Sequence, residues 1–376
     1  MHTQNADNTR PPVRVLLVAP CFGDYGGIEA FTLAVADTLM KDARFEVRIF
    51  FKRTANFALR QSLAQQCRAY PVEFCSRASR SLAAAVAWAD IVHSQNPSVD
   101  VAFMSGILRK TRVLSVHNVL PLRPIAQRVG WQMSASLASV RWYNSHFVWK
   151  TWEPGQPSAA SFCVPPTSRL ATADVAPDAR RGFVFVGRFV PGKGADVLLE
   201  AYKQAKLNPR VWPLTFIGDG PLGRALRDRS AGERIDGVRF AGFIDGEMKA
   251  RTLGGAKWLV APSHWREPFG LVAREARRLG VPCIVTRDGG LPEAAGRDAL
   301  VCEPGDVDGL TTLLKRAASM PWEEYVRRAA RTKEDLRHQQ VPPTFYPETY
   351  LTLLKREPVS VGREIGPRAV DQTGSL

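Results

Sequence analysis

Residues 258–276 read WLVAPSHWREPFGLVAREA. Trp258–Ala261 is a short apolar run of the kind that makes a strand buried on both faces. Pro262, Pro268 and Gly270 then break regular structure, and a helical stretch follows with Glu275 on its second turn. Strand, irregular loop and helix in that order form the repeating unit of a parallel α/β sheet. The loop also has chemical content. Glu267 lies just before the helix, after which Phe269 leads into Gly270, Leu271 and Val272. Amides at a helix start have no intrahelical acceptor and can cradle an anion. Two carboxylates beside such a cradle suit a ligand carrying both phosphates and hydroxyls, with Glu267 on a sugar hydroxyl and Glu275 on a ribose diol. The competing reading is a helix start with two solvated glutamates, which gives the Glu-Pro-Phe-Gly run no reason to exist.

The same unit recurs on both sides of this stretch. Phe183–Val186 reads as a strand and is followed by Gly187-Arg188-Phe189-Val190-Pro191-Gly192-Lys193-Gly194, with a helix expected from about Ala195. A glycine-rich loop with two cations at i and i+5 suits a diphosphate, and the helix dipole adds to their effect. Neither Ser nor Thr follows Lys193, so the loop is not a P-loop. Leu214–Ile217 ends in Gly218-Asp219-Gly220-Pro221, and strand C-termini of a parallel sheet face its ligand crevice. Val238–Phe240 and Cys283–Thr286 read as further strands. The second of these leads into Gly289-Gly290-Leu291-Pro292-Glu293, one more close backbone approach. Taken singly, each loop also reads as an ordinary turn.

The N-terminal half has the same rhythm. Val13–Ala19 reads as a buried strand, Ala30–Met40 as a helix and Val47–Phe51 as a strand. Ile91–His93 and Val113–His117 read as short strands, each ending in a histidine. Between the first strand and helix stands Gly23-Asp24-Tyr25-Gly26-Gly27-Ile28-Glu29. It lacks the G-x-G-x-x-G spacing of dinucleotide enzymes, but offers a backbone approach at a helix N-terminus. Pro165–Arg181 has no periodicity and reads as a linker. The expected organisation is a disordered N-terminus over 1–12, a Rossmann-like domain over 13–165, a linker over 166–181 and a second Rossmann-like domain over 182–342. A helix over 343–356 is expected to pack back toward the first domain, with a disordered tail over 357–376.

These motifs, in this order and spacing, resemble glycosyltransferase family 4, the retaining enzymes of the GT-B fold, over roughly residues 13 to 355. The most specific element is Glu267-x7-Glu275, with the Gly187–Gly194 loop and the Gly-Asp-Gly-Pro turn beside it. The resemblance implies two doubly wound parallel-sheet domains facing across a cleft. It implies that Arg188 and Lys193 hold the donor diphosphate, that Glu275 binds the ribose and that Glu267 touches the transferred sugar. Backbone around Phe269 to Val272 and around Gly218, Asp219 and Gly220 would line the donor, and Gly26 and Gly27 would approach its diphosphate. His117 matches the family's first-domain histidine near the reacting carbon, whereas His93 has no match and reads as structural. Where the family often has Gly-His before its second strand, Phe45-Glu46 stand here. The implied donor is a UDP- or GDP-linked hexose, and the implied acceptor is a glycan or a lipid-linked species in cell-surface polysaccharide or lipopolysaccharide synthesis. No cofactor or metal is expected, because the two cations neutralise the leaving diphosphate.

Composition limits the remaining possibilities. The 376 residues are globular in hydrophobic content and carry a net charge of +15, which draws a protein toward polyanions. Val101–Trp152 contains Arg109, Lys110, Arg112, Arg123, Arg128, Arg141 and Lys150 without one Asp or Glu, interleaved with tryptophans. Lys52–Arg80 adds six basic residues against Glu73. Basic residues beside tryptophan suit an anionic membrane surface. The six cysteines are unpaired in spacing and read as reduced, buried thiols. Met1–Pro12 lacks the apolar core of a secretory signal, and the run Leu82–Trp88 is too short to span a bilayer. The expected location is the cytoplasm, with peripheral binding to the inner face of the cell membrane. Two alternatives stand beside this reading: a nucleotide-sugar epimerase or phosphorylase on the same architecture, and a basic nucleic-acid-binding protein. The last finds no zinc-finger spacing or RNP-type motif and leaves Glu267 and Glu275 without purpose.

Overall fold

The computed structural model describes residues 11–357 apart from 122, 123, 338 and 356. The expected disordered ends, over 1–12 and 357–376, fall almost entirely outside these residues. The described chain divides into two compact units. One holds the residues up to Tyr143, Trp152–Cys163 and those from Val341, and the other holds Asn144–Thr151 and Val164–Gln340.

In the first unit the chain runs β1 (Val13–Cys21), α1 (Gly27–Met40), β2 (Phe45–Arg53), α2 (Gln61–Cys67), β3 (Val72–Cys75), α3 (Arg80–Trp88) and β4 (Ile91–Gln95). It continues through α4 (Val99–Ile107), β5 (Thr111–Val116), α5 (Ile125–Ser136), β6 (Val140–Tyr143) and, after α6 (His146–Trp152), which falls almost wholly in the second unit, β7 (Ser161–Cys163). The seven strands are parallel in the order β3-β2-β1-β4-β5-β6-β7. Order therefore reverses between β1 and β4, whose neighbouring C-termini open a crevice by the geometry of doubly wound sheets. Leu16, Leu17 and Val18 of β1 are buried because helices cover both faces.

The second unit runs β8 (Phe183–Val186), α7 (Ala195–Ala205), β9 (Leu214–Ile217), α8 (Gly223–Gly232), β10 (Val238–Gly242), α9 (Gly246–Gly254) and β11 (Trp258–Ala261). Then come α10 (Leu271–Arg278), β12 (Cys283–Thr286), α11 (Leu291–Ala295), β13 (Leu300–Cys302), α12 (Val307–Ala318) and α13 (Trp322–Arg337). Its strands are parallel in the order β10-β9-β8-β11-β12-β13, reversing between β8 and β11. One core cluster, with Phe185, Phe216 and Trp258, lies under α7 and α12. The other, with Leu259, Val285 and Ala276, includes α10. The last helix, α14 (Phe345–Leu354), packs on α1 in the first unit.

Four expectations change in detail: β5 ends at Val116, so His117 lies just past its strand, and Phe45-Glu46 open β2 rather than precede it. His93 does not end its strand: β4 continues through Ser94 to Gln95. The stretch read as a linker has one short 3-10 turn, Pro177–Ala179, but is not a solvated tether. Leu170 is buried in the second unit's core, and the Arg180 guanidinium donates to the carbonyls of Leu279 and Gly280.

Candidate active site

In the second unit the loops after β8, β9, β11 and β12 leave the same edge of the sheet, and glycines lock them together. Gly218 has φ +131°, and a Cβ there would lie 2.0 Å from the Gly187 carbonyl. Gly220 sits against the Phe189 backbone, and the Phe189 amide donates to the Asp219 carbonyl at 2.8 Å. Gly194, at φ +75°, presses on the Pro262 carbonyl, where a Cβ would come within 2.0 Å. The Gly192 carbonyl accepts from the His264 and Trp265 amides, each at 3.0 Å, and from Ser263 Oγ at 2.9 Å. The Gly290 amide donates to the Glu267 carbonyl at 2.7 Å. These backbones approach too closely for any side chain, which is why the sequence has glycine there.

This framework brings the charged residues together. Lys193 Nζ donates to Glu267 Oε1, and both side chains are largely shielded from solvent. Arg188 is exposed on the same loop. Gly270, at φ +106°, turns the chain into α10, so the amides of Leu271 and Val272 begin the helix with Phe269 buried behind them. Asp219 is exposed at the tip of the neighbouring turn.

Glu275 is placed differently from a freely presented carboxylate. It is buried, its Oε1 accepts from Ser168 Oγ at 2.6 Å, and its Oε2 pairs with Lys249 Nζ at 2.8 Å. Ser168 and Lys249 are partners of Glu275 that the sequence reading missed, because they lie 107 and 26 positions away with no motif around them. His146 and Glu293 were missed as a pair. The Glu293 carboxylate accepts from the His146 amide at 3.0 Å and lies 3.0 Å from its Nδ1, while Ser145 Oγ donates to the Pro268 carbonyl at 2.7 Å.

The first unit's strand ends are built from side chains instead. The expected open helix N-terminus at Gly26-Gly27 is partly closed, because the Gly26 amide donates to the buried carboxylate of Glu29 at 3.1 Å. Gly27 is open, since a Cβ there would meet nothing within 4 Å. His117 follows β5. Its amide donates to Asn96 Oδ1 at 2.8 Å, its Nε2 lies 2.9 Å from Gln95 Oε1 and its ring meets Phe31 edge-on. Gln95 Oε1 only accepts, so His117 Nε2 carries the proton. Burial pushes its pKa down to about 3, so the ring is neutral. His93 is satisfied on both nitrogens, by Tyr350 Oη at 2.6 Å and Ser115 Oγ at 2.8 Å. Two residues absent from the sequence reading stand out here. Gln95 Nε2 and Asn96 Nδ2 are buried without a partner, and Asn96 holds φ +65°. A buried donor left without an acceptor marks a place where a ligand can supply one.

The basic, tryptophan-bearing surface expected over Val101–Trp152 does not exist as such. Arg112, Arg141, Trp142, Tyr143 and Trp152 are buried. Arg141 pairs with Glu153 at 3.0 Å, beyond the stretch that lacked acids, and Trp142 stacks on Tyr350. Position in a charged run does not report which way a strand residue points, and β6 is buried on both faces. All six cysteines are buried and free. Among the described residues no helix is long and apolar enough to cross a membrane.

Residues 172–335, inside the second unit, match the family model described as Glycosyl transferases group 1. Over 141 residues the chain is 34% identical to a glycogen synthase of Mycobacterium tuberculosis, a match covering 37% of this chain and 34% of that protein. It is 34% identical over 150 residues to a GDP-mannose-dependent monoacylated alpha-(1-6)-phosphatidylinositol monomannoside mannosyltransferase of Corynebacterium glutamicum, covering 38% of each. The matches thus span little more than a third of these relatives. The solved structure of Anabaena HepE in complex with UDP and glucose is similar in fold, with a TM-score of 0.66 over 91% of this chain and 99% of that one at 18% identity.

Proposed function

We propose, from the premise that residues 172–335 are a group 1 glycosyltransferase domain, that the chain moves a hexose-type sugar from a nucleotide diphosphate sugar to a glycan or lipid-linked acceptor. The observation that carries this reading is the Lys193–Glu267 pair, held beside Arg188 and the start of α10. A diphosphate entering this loop competes with Glu267 for Lys193. The exchange places one cation on the leaving group and turns the carboxylate to a sugar hydroxyl. Arg188, exposed on the same loop, is the second cation, and the Leu271 and Val272 amides add their dipoles to the phosphate. Two cations and a helix start neutralise a leaving diphosphate without a metal.

Glu275 takes the ribose hydroxyls. Lys249 pairs with one of its carboxylate oxygens and Ser168 fixes the other. Gly26 and Gly27 would let the first unit's backbone approach the donor diphosphate, and the Gly218-Asp219-Gly220 turn would line the donor. His117, neutral and with its Nε2 proton donated to Gln95, stands near the reacting carbon without carrying charge. Transfer keeps the anomeric configuration: the acceptor oxygen attacks on the face the nucleotide leaves, and the departing phosphate oxygen takes the acceptor's proton. UDP and GDP sugars are both candidate donors, in keeping with the names of HepE's ligand and of the Corynebacterium relative. Cell-surface polysaccharide or lipopolysaccharide synthesis at the cytoplasmic face of a membrane is the setting that fits such an acceptor.

The test is a thermal-shift screen with UDP-, GDP- and other nucleotide-linked sugars. A donor present at a hundred times its Kd stabilises the native state by about 2.7 kcal/mol. One nucleotide series should raise the melting temperature in proportion to occupancy, and the product formed with acceptor should carry the sugar. A flat response to every nucleotide sugar would remove the proposal.

A further inference from the structure

Helices α4 and α5 in the first unit are built inside out. On α5 the buried residues are Ser134 and Ala135, while Ile125, Val129 and Met133 lie at i, i+4 and i+8 on the exposed side, with Leu137 continuing the row past the helix end. On α4 the buried residues are Val101, Ala102 and Ser105, and Val99, Phe103 and Ile107 repeat the same spacing outward. Ile125 is 80% exposed, Phe103 67% and Ile107 64%. The two helices pack on each other. Half of the 16 exposed large apolar side chains among the described residues lie between Val99 and Leu137. A surface helix normally turns this stripe to the core, and scattered exposed apolar residues do not keep i, i+4 register on two neighbouring helices.

The exposed charge around these stripes is basic, and the one acid of α4, Asp100, is paired with Lys52 at 2.5 Å. Arg109 is exposed just beyond α4, Arg128 lies half-buried on α5, and Lys110 reaches the Ala87 carbonyl. The sequence from Val101 to Trp152 supplies no carboxylate to offset them. Trp131 is half-buried on the same helix, a position suited to the headgroup layer. Apolar side chains outward, basic residues at the rim and the single acid neutralised by Lys52 form the pattern of a helix lying in the interface of an anionic bilayer.

We infer that α4 and α5 together dock the chain onto an anionic lipid membrane, inserting Phe103, Ile107, Ile125, Val129 and Met133 into the headgroup–acyl boundary. The surface differs from the buried Arg141–Trp152 region. It is independent of the sugar-transfer reading, since it uses no residue of the candidate active site. Its place in the fold still bears on that site. Helix α4 starts just after Gln95, and α5 follows the loop that leaves His117, so both helices rise from the strand ends where Gln95, Asn96 and His117 sit. A membrane held there brings lipid-borne groups to that edge of the sheet.

The test is co-sedimentation of the 376-residue chain with phosphatidylcholine vesicles, with and without phosphatidylglycerol, at low salt. The chain should pellet with the anionic vesicles and much less with the neutral ones. The triple variant Phe103→Ser, Ile125→Ser, Met133→Ser should lose at least about a decade in partitioning, since each large apolar side chain buried is worth about that much. Arg128→Gln should lose about fivefold, the factor for one basic residue near an anionic surface. Val211→Ser, at an exposed apolar residue of the second unit, should change nothing. Circular dichroism checks that each variant is folded, and Ile125→Ser alone serves if the triple variant is not. Absence of pelleting with anionic vesicles overturns the inference, as does pelleting that the apolar variants leave intact. Light scattering that finds a dimer dispersed by the triple variant, without vesicle binding, assigns the surface to a second copy and also overturns it.

Discussion

The two units have sheets of one topology type, yet their strand ends are made in opposite ways. In the second unit the crevice edge is backbone: Gly194, Gly218, Gly220 and Gly289 all hold positive φ, and each lies against a neighbouring carbonyl. Charges are set on that frame as ion pairs, Lys193 with Glu267 and Lys249 with Glu275. In the first unit the edge is side chain. Buried, uncharged histidines are held by Gln95, Ser115 and Tyr350, and donors on Gln95 and Asn96 are left over. A frame of glycines and charges suits an ionic ligand of fixed shape, such as a diphosphate. The part of the first unit's edge around the two histidines is neutral and hydrogen-bonding, which suits hydroxyls, whose pattern changes from one acceptor to another.

The contrast can be broken most directly at Lys193. If the second unit's cations neutralise a leaving group, Lys193→Ala lowers kcat by about 10²–10³-fold, the scale for losing one transition-state charge donor. Steady-state kinetics with the donor found in the thermal-shift screen would measure it, and an unchanged kcat would mean the pair with Glu267 is structural.

The first unit's neutrality is tested by acid. Burial depresses the pKa of both His93 and His117 from 6.5 to about 3, so between those values the unfolded chain binds protons that the folded unit refuses. Their contribution to stability is complete above pH 6.5 and is lost progressively as pH falls toward 3. Each histidine adds a slope of about 1.4 kcal/mol per pH unit in that window. Chemical denaturation at pH 7, 6 and 5 should show stability falling by about 2–3 kcal/mol per unit below pH 6, and a flat profile would mean the histidines are not buried as neutral rings. A smaller effect comes from Tyr350→Phe, which strips His93 Nδ1 of its partner. The cost is about 1–3 kcal/mol for a buried polar group left unsatisfied, read by the same denaturation at pH 7.

The same contrast explains what was legible in the sequence. Phe183–Val186, Leu214–Ile217, Trp258–Ala261 and Cys283–Thr286 were read to the residue, because each is an unbroken apolar run stopped by glycine or proline. The loops after them were readable because a positive φ and a close backbone approach demand glycine locally. Strand β6 was passed over because Arg141 interrupts it, and the partner that lets Arg141 be buried, Glu153, comes twelve residues later. Strands β7 and β13 are three residues each, too short for any periodicity. Ser168 and Lys249 gain meaning from Glu275 alone, and Gln95 and Asn96 from a histidine just past the next strand. The apolar stripes of α4 and α5 have ordinary helical spacing, and spacing does not say which side faces water.

Helix α14 has a consequence for how the protein is made. Its Tyr350 completes the hydrogen bonding of His93, 257 positions earlier, and its Glu348 pairs with Arg44. In a nascent chain His93 therefore lacks this partner through the whole synthesis of the second unit. Contacts of such high sequence separation close late. The second unit has all its own strands before α14 emerges and can finish folding first. The domain that begins the chain is the last to be sealed, and a ribosome stall or a nonsense codon before residue 345 would release a protein with its second unit whole and its first unit unfinished.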